Sequence, residues 1–531
     1  MKYRKLLILS MIVILSSCRF GGESSTGQSS EELTSETTST SSSEANPSSS
    51  SESSGDSSSS EGSERPTSGT ELINFYAVND VHGAVSRDMS VNEPGLARIA
   101  TYLKDKKDDD PQNTVILASG DMWQGSVDSN YNRGNLVTEV MNDIGFDSMT
   151  IGNHEFDWGT SYIEQNAGLA DFPFLGANIM QYPNTSQKSN IGENYTIIER
   201  GFLKVGIIGI IGSEQITDIM SGFVQNIHFQ YPYQIAIDLS AELRDEQNCD
   251  IVVLSMHGGA DEVYQFDTGI GDYFDAVFCA HSHSLVNEEF FGVPIVQAGG
   301  NGKYVSNISL TYDYATDVVD TASYGNTALG ALNNLAEDAS VKSIIDEFGA
   351  ISNPVKNEVL GTITNSLSRT TTLPNMANYA VVSKLATLGL DVDFVMTNRG
   401  RANVPSGTVT YGTLFKALPF DNNIVIIRAS GADIKNQAPY NNFYRVKDYS
   451  SLNNTTKYTL AVIDFLALHQ DIYKTYNYFE DYNPSTDYVM TITDEGNPTY
   501  PRDILSDLFR SLSAPVDPQT YTGDRYDNLT I

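Results

Sequence analysis

The sequence predicts an α/β fold in two domains, with a parallel sheet that carries metal-ligand residues along its carboxyl edge. The apolar runs LINFYAV, TVILAS, IVVLS and DAVFCA lie ahead of Asp80, Gly120, His257 and His281. Continuous rather than alternating hydrophobicity marks strands buried on both faces of a parallel sheet. Polar residues at the carboxyl ends of such strands converge on one edge, where open α/β folds place their ligands. With the serine-rich N-terminal stretch set aside, roughly 460 residues remain, too many for one hydrophobic core, so a second domain is expected.

The chain opens Met-Lys-Tyr-Arg-Lys, continues LLILSMIVIL and reaches Leu15-Ser16-Ser17-Cys18. A basic start, an apolar core too short to span a bilayer and small residues before a cysteine describe a secretory signal over residues 1–17. The Leu-x-x-Cys ending resembles a bacterial lipobox, which implies cleavage before Cys18 and a lipid on that residue. Export to the outer face of the cytoplasmic membrane as an anchored lipoprotein is the expectation. Residues 18–70 are mostly Ser, Glu, Thr and Gly, a composition that cannot offset chain entropy by burial and predicts a disordered acidic stalk.

A first domain is expected over residues 71–332 and a helical connector over 333–356, where Leu335, Val341, Ile344, Ile345 and Phe348 fit an amphipathic helix ending before Asn353-Pro354. The second domain then spans 357–531. Cys249 and Cys279 begin and end neighbouring strand runs, which sets them too far apart to bridge, so both are expected as buried free thiols. The formal charge is −35, from 67 acidic against 32 basic residues, which argues against binding nucleic-acid polymers. No obligate protein partner is implied.

Only seven histidines occur, and five of them sit in the series Asp80-Val81-His82, Gly120-Asp121, Asn153-His154-Glu155-Phe156-Asp157, His257 and His281-Ser282-His283. Mixed carboxylate, amide and imidazole ligands suit two divalent cations such as zinc or manganese. Asp121 would bridge the pair, with Asp80, His82 and His283 completing one coordination sphere and Asn153, His257 and His281 the other. Two such cations activate water and neutralise charge on a transferring phosphoryl group. His154 is left over as a proton or hydrogen-bond donor, with Asp157 three residues on to fix its tautomer.

NDVHG, ASGDMWQGS, MNDIGFDSMTIGNHEFDWG, LSMHGG and AHSH resemble the motifs of calcineurin-like metallophosphoesterases, and more closely those of the 5'-nucleotidase family. The resemblance implies a four-layer α/β/β/α first domain, the metal assignments above, and His154 with Asp157 as the catalytic dyad. FVMTNRGRANVPSGTVTYGTLFKALPFDNNIVII and DFLALHQD resemble the family's smaller α+β substrate-binding domain. By that resemblance Arg369 and Arg401 approach the substrate, Phe420 and Phe465 sandwich a nucleobase, and Asn422 and Asp471 complete the pocket. Arginines suit phosphate through bidentate, charge-assisted contacts, and aromatic rings suit bases by stacking. The segment Asn398-Arg399-Gly400-Arg401 is shorter than the family's pattern, and His469-Gln470 replaces its Gly-Gly, departures that bear on the base pocket.

The expected reaction is release of phosphate from nucleoside 5'-monophosphates, with nucleotide sugars and nucleoside diphosphates as further substrates. Two alternatives stand beside it: a hydrolase of another phosphoester or sulfur ester, and a surface binding protein or adhesin that has lost turnover.

Overall fold

The computed structural model describes residues 64–184, 186–189, 191–219, 223–438, 442–444, 451–468, 478–494 and 496–521. Cys18 and Asp471 lie outside them, as does nearly all of the expected stalk. Arg65, which the sequence assigns to the stalk, instead lies against the folded chain, where its guanidinium pairs with Asp250 at 2.5 Å and donates to the Tyr312 hydroxyl at 3.1 Å.

The first part of the chain forms two six-stranded sheets. In one, the strands run in the order Val318–Asn326, Ser306–Asp313, Thr70–Val78, Thr114–Ala118, Ser148–Thr150 and Phe174–Leu175. In the other the order is Leu285–Phe290, Val293–Ala298, Ala276–Phe278, Ile251–His257, Leu203–Ile211 and Tyr195–Arg200. Pairing among the central strands is parallel, as it is at the Phe174–Leu175 edge, and the other three edges are antiparallel, as is the pair Thr70–Val78 and Ser306–Asp313. The sites at Asp80 and Asp121 therefore follow one sheet, and those at His257 and His281 the other. They meet where the carboxyl ends of two facing sheets converge, rather than along one edge.

The apolar runs explain the layering. Alternate residues of each strand point to opposite faces. Ile73, Phe75, Val115 and Leu117 pack inward against Val205, Ile207, Ile251, Val253 and Phe278 of the other sheet. The outward residues Ile116 and Ala118 meet Leu96, Ile99 and Leu103 of the helix Leu96–Asp109 and Leu136 and Val140 of the helix Asn135–Ile144. On the far side Ile208, Val252 and Leu254 meet Leu239 and Leu243 of the helix Pro232–Asp245. The result is four layers, α/β/β/α. Cys249 and Cys279 are buried and free.

The helix Ala339–Lys356 follows, N-capped by the Asp338 carboxylate, which accepts from the Val341 amide. It extends past Asn353, with Pro354 inside its last turn, so the helix does not stop where the sequence suggests. Pro354 has no N–H for the Ala350 carbonyl, so the helix gives up one hydrogen bond in its last turn and continues. Leu335 stands outside the helix, after the short 3-10 turn Leu332–Asn334. Val341 is buried in the first domain's outer core, and Ile344, Ile345 and Phe348 pack against it. One turn further on, Ser352 and Lys356 both donate to the buried Asp128 carboxylate, at 2.5 and 2.6 Å.

The rest of the chain builds a five-stranded mixed sheet in the order Asn442–Tyr444, Phe394–Thr397, Lys457–Ile463, Ile424–Ser430 and Tyr488–Thr491. The helices Thr372–Thr387 and Pro501–Ser511 contribute Leu373, Met376, Val381, Leu505 and Phe509 to its core. This is a smaller α+β unit. Among the described residues no helix is long and apolar enough to cross a membrane.

Candidate active site

His257 is the last residue of the strand Ile251–His257, and the other ligand-type side chains sit in the turns that follow strand ends. Asp80, His82, Asp121, His281 and His283 all have left-handed backbone, with φ of 50°, 50°, 56°, 66° and 53°. Side chains other than glycine seldom adopt this region, and such outliers gather at functional sites. Two glycines make room for the turns. A Cβ on Gly120 would sit 2.6 Å from His257 Nδ1, and one on Gly152 would overlap the Asp121 carboxylate.

The side chains gather into two groups, Asp80, His82 and His283, and Asp121, His257 and His281, with donor atoms of each group within 4.8 Å of one another. Asp121 Oδ2 lies 3.3 Å from His257 Nε2 and 4.0 Å from His82 Nε2, between the two groups. Asn153 Oδ1 faces His257 Nε2 at 3.0 Å and His281 Nδ1 at 3.1 Å. His82 Nδ1 and His257 Nδ1 each meet a backbone carbonyl at 2.9 Å, those of Gln124 and Ser119. Those carbonyls fix Nδ1–H as a donor and turn Nε2 of each ring inward. Burial lowers the His257 pKa, but the Asp121 carboxylate carries it to about 10, so this Nε2 gives up a proton when a metal binds.

A cation fits both groups. Asp80 Oδ1 is fully buried with no hydrogen-bond partner, a costly state that a metal relieves. His82 Nε2 and His283 Nε2 face each other at 2.9 Å, a spacing met either by a cation that both nitrogens ligate or by one Nε2–H donating to the other. Burial holds the pKa of His82 well below its ordinary value and takes His281 to about 3 and His283 to about 4, despite the nearby carboxylates. These imidazoles are therefore neutral and ready to ligate. Burial pushes Asp121 upward, but His257 and His154 outweigh it and keep the carboxylate ionised.

His154 is not in either group. Its Nδ1 meets Asp157 Oδ2 at 2.9 Å, and its amide donates to Asp121 Oδ1 at 2.8 Å. Burial lowers its pKa, yet the Asp157 and Asp121 carboxylates more than reverse this and carry it to about 9 in the metal-free protein. Its ring stacks on Phe420 with centroids 5.2 Å apart and planes 22° from parallel. The Arg401 guanidinium lies over the other partner of that stack, 4.9 Å from the Phe420 centroid.

Phe420 comes from the second domain, and several contacts hold its loop over the metal-ligand groups. Gln124 Nε2 donates to the Pro419 carbonyl at 2.9 Å, and Asp421 accepts from Arg133 at 3.0 Å and from the buried Arg502 at 2.8 Å. The Gly400 amide donates to the Arg369 carbonyl at 2.8 Å, which ties the two arginine segments together. Between the domains lies a cleft of about 780 Å3, whose walls include Asn153, His154, Asp157, His281 and His283 on one side and Arg369, Arg401, Phe420, Asn422 and Phe465 on the other. Phe465 is half-buried and packs against Tyr478, ring centroids 6.0 Å apart.

Several supporting residues escape a reading of the sequence. The buried Glu155 carboxylate accepts from the amides of Asp121, Met122 and Gly152, each at 2.8 Å, and so joins two ligand turns. Asn79 donates to Asp80 Oδ2 at 2.7 Å and to the Gly299 carbonyl at 2.8 Å. Asp218 adds a carboxylate 3.8 Å from His281 Nε2. Glu155, Asn79 and Gln124 all lie inside the quoted motifs, yet nothing about their residue type separates them from ordinary polar neighbours.

An α/β/β/α sandwich with two imidazole–carboxylate groups and an adjoining histidine at its sheet ends defines a metallophosphoesterase. Residues 73–285 match the family model for calcineurin-like phosphoesterase, and residues 352–437 match that for the 5'-nucleotidase C-terminal domain. The chain thus joins these two domains and is a metal-dependent phosphoester hydrolase. It is 29% identical over 412 residues to an apyrase of Tabanus yao, covering 69% of this chain and 72% of that protein. It is 25% identical over 419 residues to the 5'-nucleotidase of Rattus norvegicus, covering 70% and 71%. Its fold matches a 5'-nucleotidase precursor from Thermus thermophilus with a TM-score of 0.67 at 19% identity, over 84% of this chain and 98% of that one.

Proposed function

We propose that the protein releases phosphate from nucleoside 5'-monophosphates, and that nucleoside diphosphates and nucleotide sugars also enter its cleft. The observation that carries this reading is the single cleft in which His154 and the metal-ligand groups face Phe420, Asn422, Phe465 and two arginines. The relatives include 5'-nucleotidases and apyrases, which supports the same substrate class.

Asp80, His82 and His283 would hold one cation, Asn153, His257 and His281 the other, and Asp121 both. When bound, the two cations activate water and offset charge on the phosphoryl group. Arg401 and Arg369 orient the phosphate through planar, charge-assisted contacts. His154, charged beside Asp157, donates a hydrogen bond to the phosphoryl or leaving oxygen and supplies the proton the alcohol needs. Phe465 and the exposed part of Phe420 offer faces for a base, and water is excluded as the substrate fills the cleft.

Turnover of adenosine 5'-monophosphate and of p-nitrophenyl phosphate, measured with chelator and after adding back zinc or manganese, tests this. The expected result is metal-dependent hydrolysis with kcat/KM at least tenfold higher for the nucleotide. Equal values would remove the nucleotide assignment, and no hydrolysis with either cation would remove the reaction.

The same proposal includes export and lipid anchoring through Cys18, supported by the N-terminal sequence alone. Labelled palmitate incorporated into the wild-type chain but not into Cys18→Ala is the expected outcome in bacterial cells, and equal labelling would refute it.

A further inference from the structure

A second cleft, of about 750 Å3, shares His283, Arg369, Arg401 and Phe420 with the first and adds His82. Both therefore reach the Asp80–His82–His283 group, the first cleft reaching the Asp121–His257–His281 group as well, and they share Phe420 and Arg401. Their linings differ in character. The first carries Trp158, Phe223, Phe465 and Tyr478 beside Phe420, and four carboxylates against three arginines. The second has Phe420 as its one aromatic carbocycle among the described residues, and sets Lys303, Arg369, Arg401 and Lys416 against Asp88 and Glu93.

Both of those carboxylates are taken up by Lys416, at 2.9 and 2.7 Å. Neither the Lys303 ammonium nor the Arg369 guanidinium makes a hydrogen bond or ion pair among the described residues, and Arg401 faces the Phe420 ring. The chain as a whole has 67 acidic and 32 basic residues, so a cleft with a surplus of unpaired cations runs against its composition. Such a surplus attracts anions into a site with low-dielectric walls.

The reaction yields two products of unlike chemistry. Water's oxygen bonds to phosphorus as the ester P–O bond breaks, a proton passes to the departing alcohol, and the phosphate keeps the negative charge. We propose that the second cleft is a holding site for inorganic phosphate, through which the anion leaves while the alcohol leaves by the aromatic cleft. This rests on the phosphohydrolase reading above.

Equilibrium dialysis of radiolabelled inorganic phosphate against the metal-loaded protein tests it. Two ions per chain are expected in the wild type, one at the metal centre and one in the second cleft. Lys303→Glu and Lys303→Met should each reduce this to one, while Arg399→Gln, which alters only the first cleft, should leave two. One ion in the wild type, two in the Lys303 variants, loss of both ions in those variants, or a loss in Arg399→Gln would each overturn the proposal. The same preparations are assayed on p-nitrophenyl phosphate. A wild type that hydrolyses no phosphoester refutes the functional reading, whereas normal hydrolysis with a single bound phosphate refutes the holding site alone.

Discussion

His154 and Asn153 are neighbours in the chain with different work, since Asn153 faces His257 and His281 while His154 faces Asp157 and Phe420. His154→Asn should therefore lower turnover about 10²–10⁴-fold, the range for a positioned acid–base group. Metal content, read by atomic emission, should stay near wild type; loss of metal would place His154 among the ligands. Glu155 acts through its neighbours. Glu155→Gln exchanges an acceptor of three amides for a group that must present a donor to one of them, so metal affinity should fall about 10–100-fold, as for other groups that orient ligands. Titration with zinc against a competing chelator measures this, and unchanged affinity would leave Glu155 with a packing role only. The ligand-type residues were legible because imidazoles are scarce in this chain and each follows an apolar run. Glu155 was not, because its partners lie at positions 121, 122 and 152, and only folding brings those amides to one carboxylate.

At the scale of elements, runs buried on both faces were the readable part: LINFYAV and IVVLS became the strands Thr70–Val78 and Ile251–His257. Their assignment to two facing sheets does not follow from hydrophobicity, since either sheet buries them equally well. The helix Ala339–Lys356 shows a second limit. Proline suggested a stop before Pro354, yet the helix runs on and sets Lys356 beside Ser352 against Asp128, and this tertiary contact outweighs local preference. Lys356→Met would leave the buried Asp128 carboxylate with the hydroxyls of Ser86 and Ser352 as its donors among the described residues. Stability should fall by about 1–3 kcal/mol, the usual penalty for a buried polar group deprived of its partner. Urea unfolding reads the change, and a shift under half of that would mean that solvent replaces the ammonium.

At the scale of the whole molecule, the proposed function has substrate selected by residues of the second domain that line the cleft beside the metal-ligand groups of the first. The two phenylalanines are not equivalent in this respect. Phe420 stacks on His154, whereas Phe465 packs with Tyr478. Phe420→Ala should thus slow nucleotide and p-nitrophenyl phosphate alike, by disturbing the histidine as well as any base. Phe465→Ala should raise KM for the nucleotide about 5- to 150-fold, the equivalent of the roughly 1–3 kcal/mol assigned to base stacking, and leave the aryl phosphate unaffected. Equal losses on both substrates in Phe465→Ala would make it a core residue. A comparison of sequence alone could pair the two rings by motif, but not see which one leans on the dyad.

The left-handed turns at Asp80, His82, Asp121, His281 and His283 also bear on how this protein can change. Each such conformation costs roughly 1–2 kcal/mol for a residue with a Cβ, and glycine would remove that cost. His283→Gly should therefore make the metal-stripped protein more resistant to urea, by about 1 kcal/mol, while abolishing phosphoester hydrolysis; a softer metal-stripped variant would mean the turn is relaxed. Bound metal repays the strain by mass action, because it binds only the folded chain. A library selected for heat resistance in the presence of chelator would accordingly drift away from the active sequence at these five positions, and one selected with metal present would keep them.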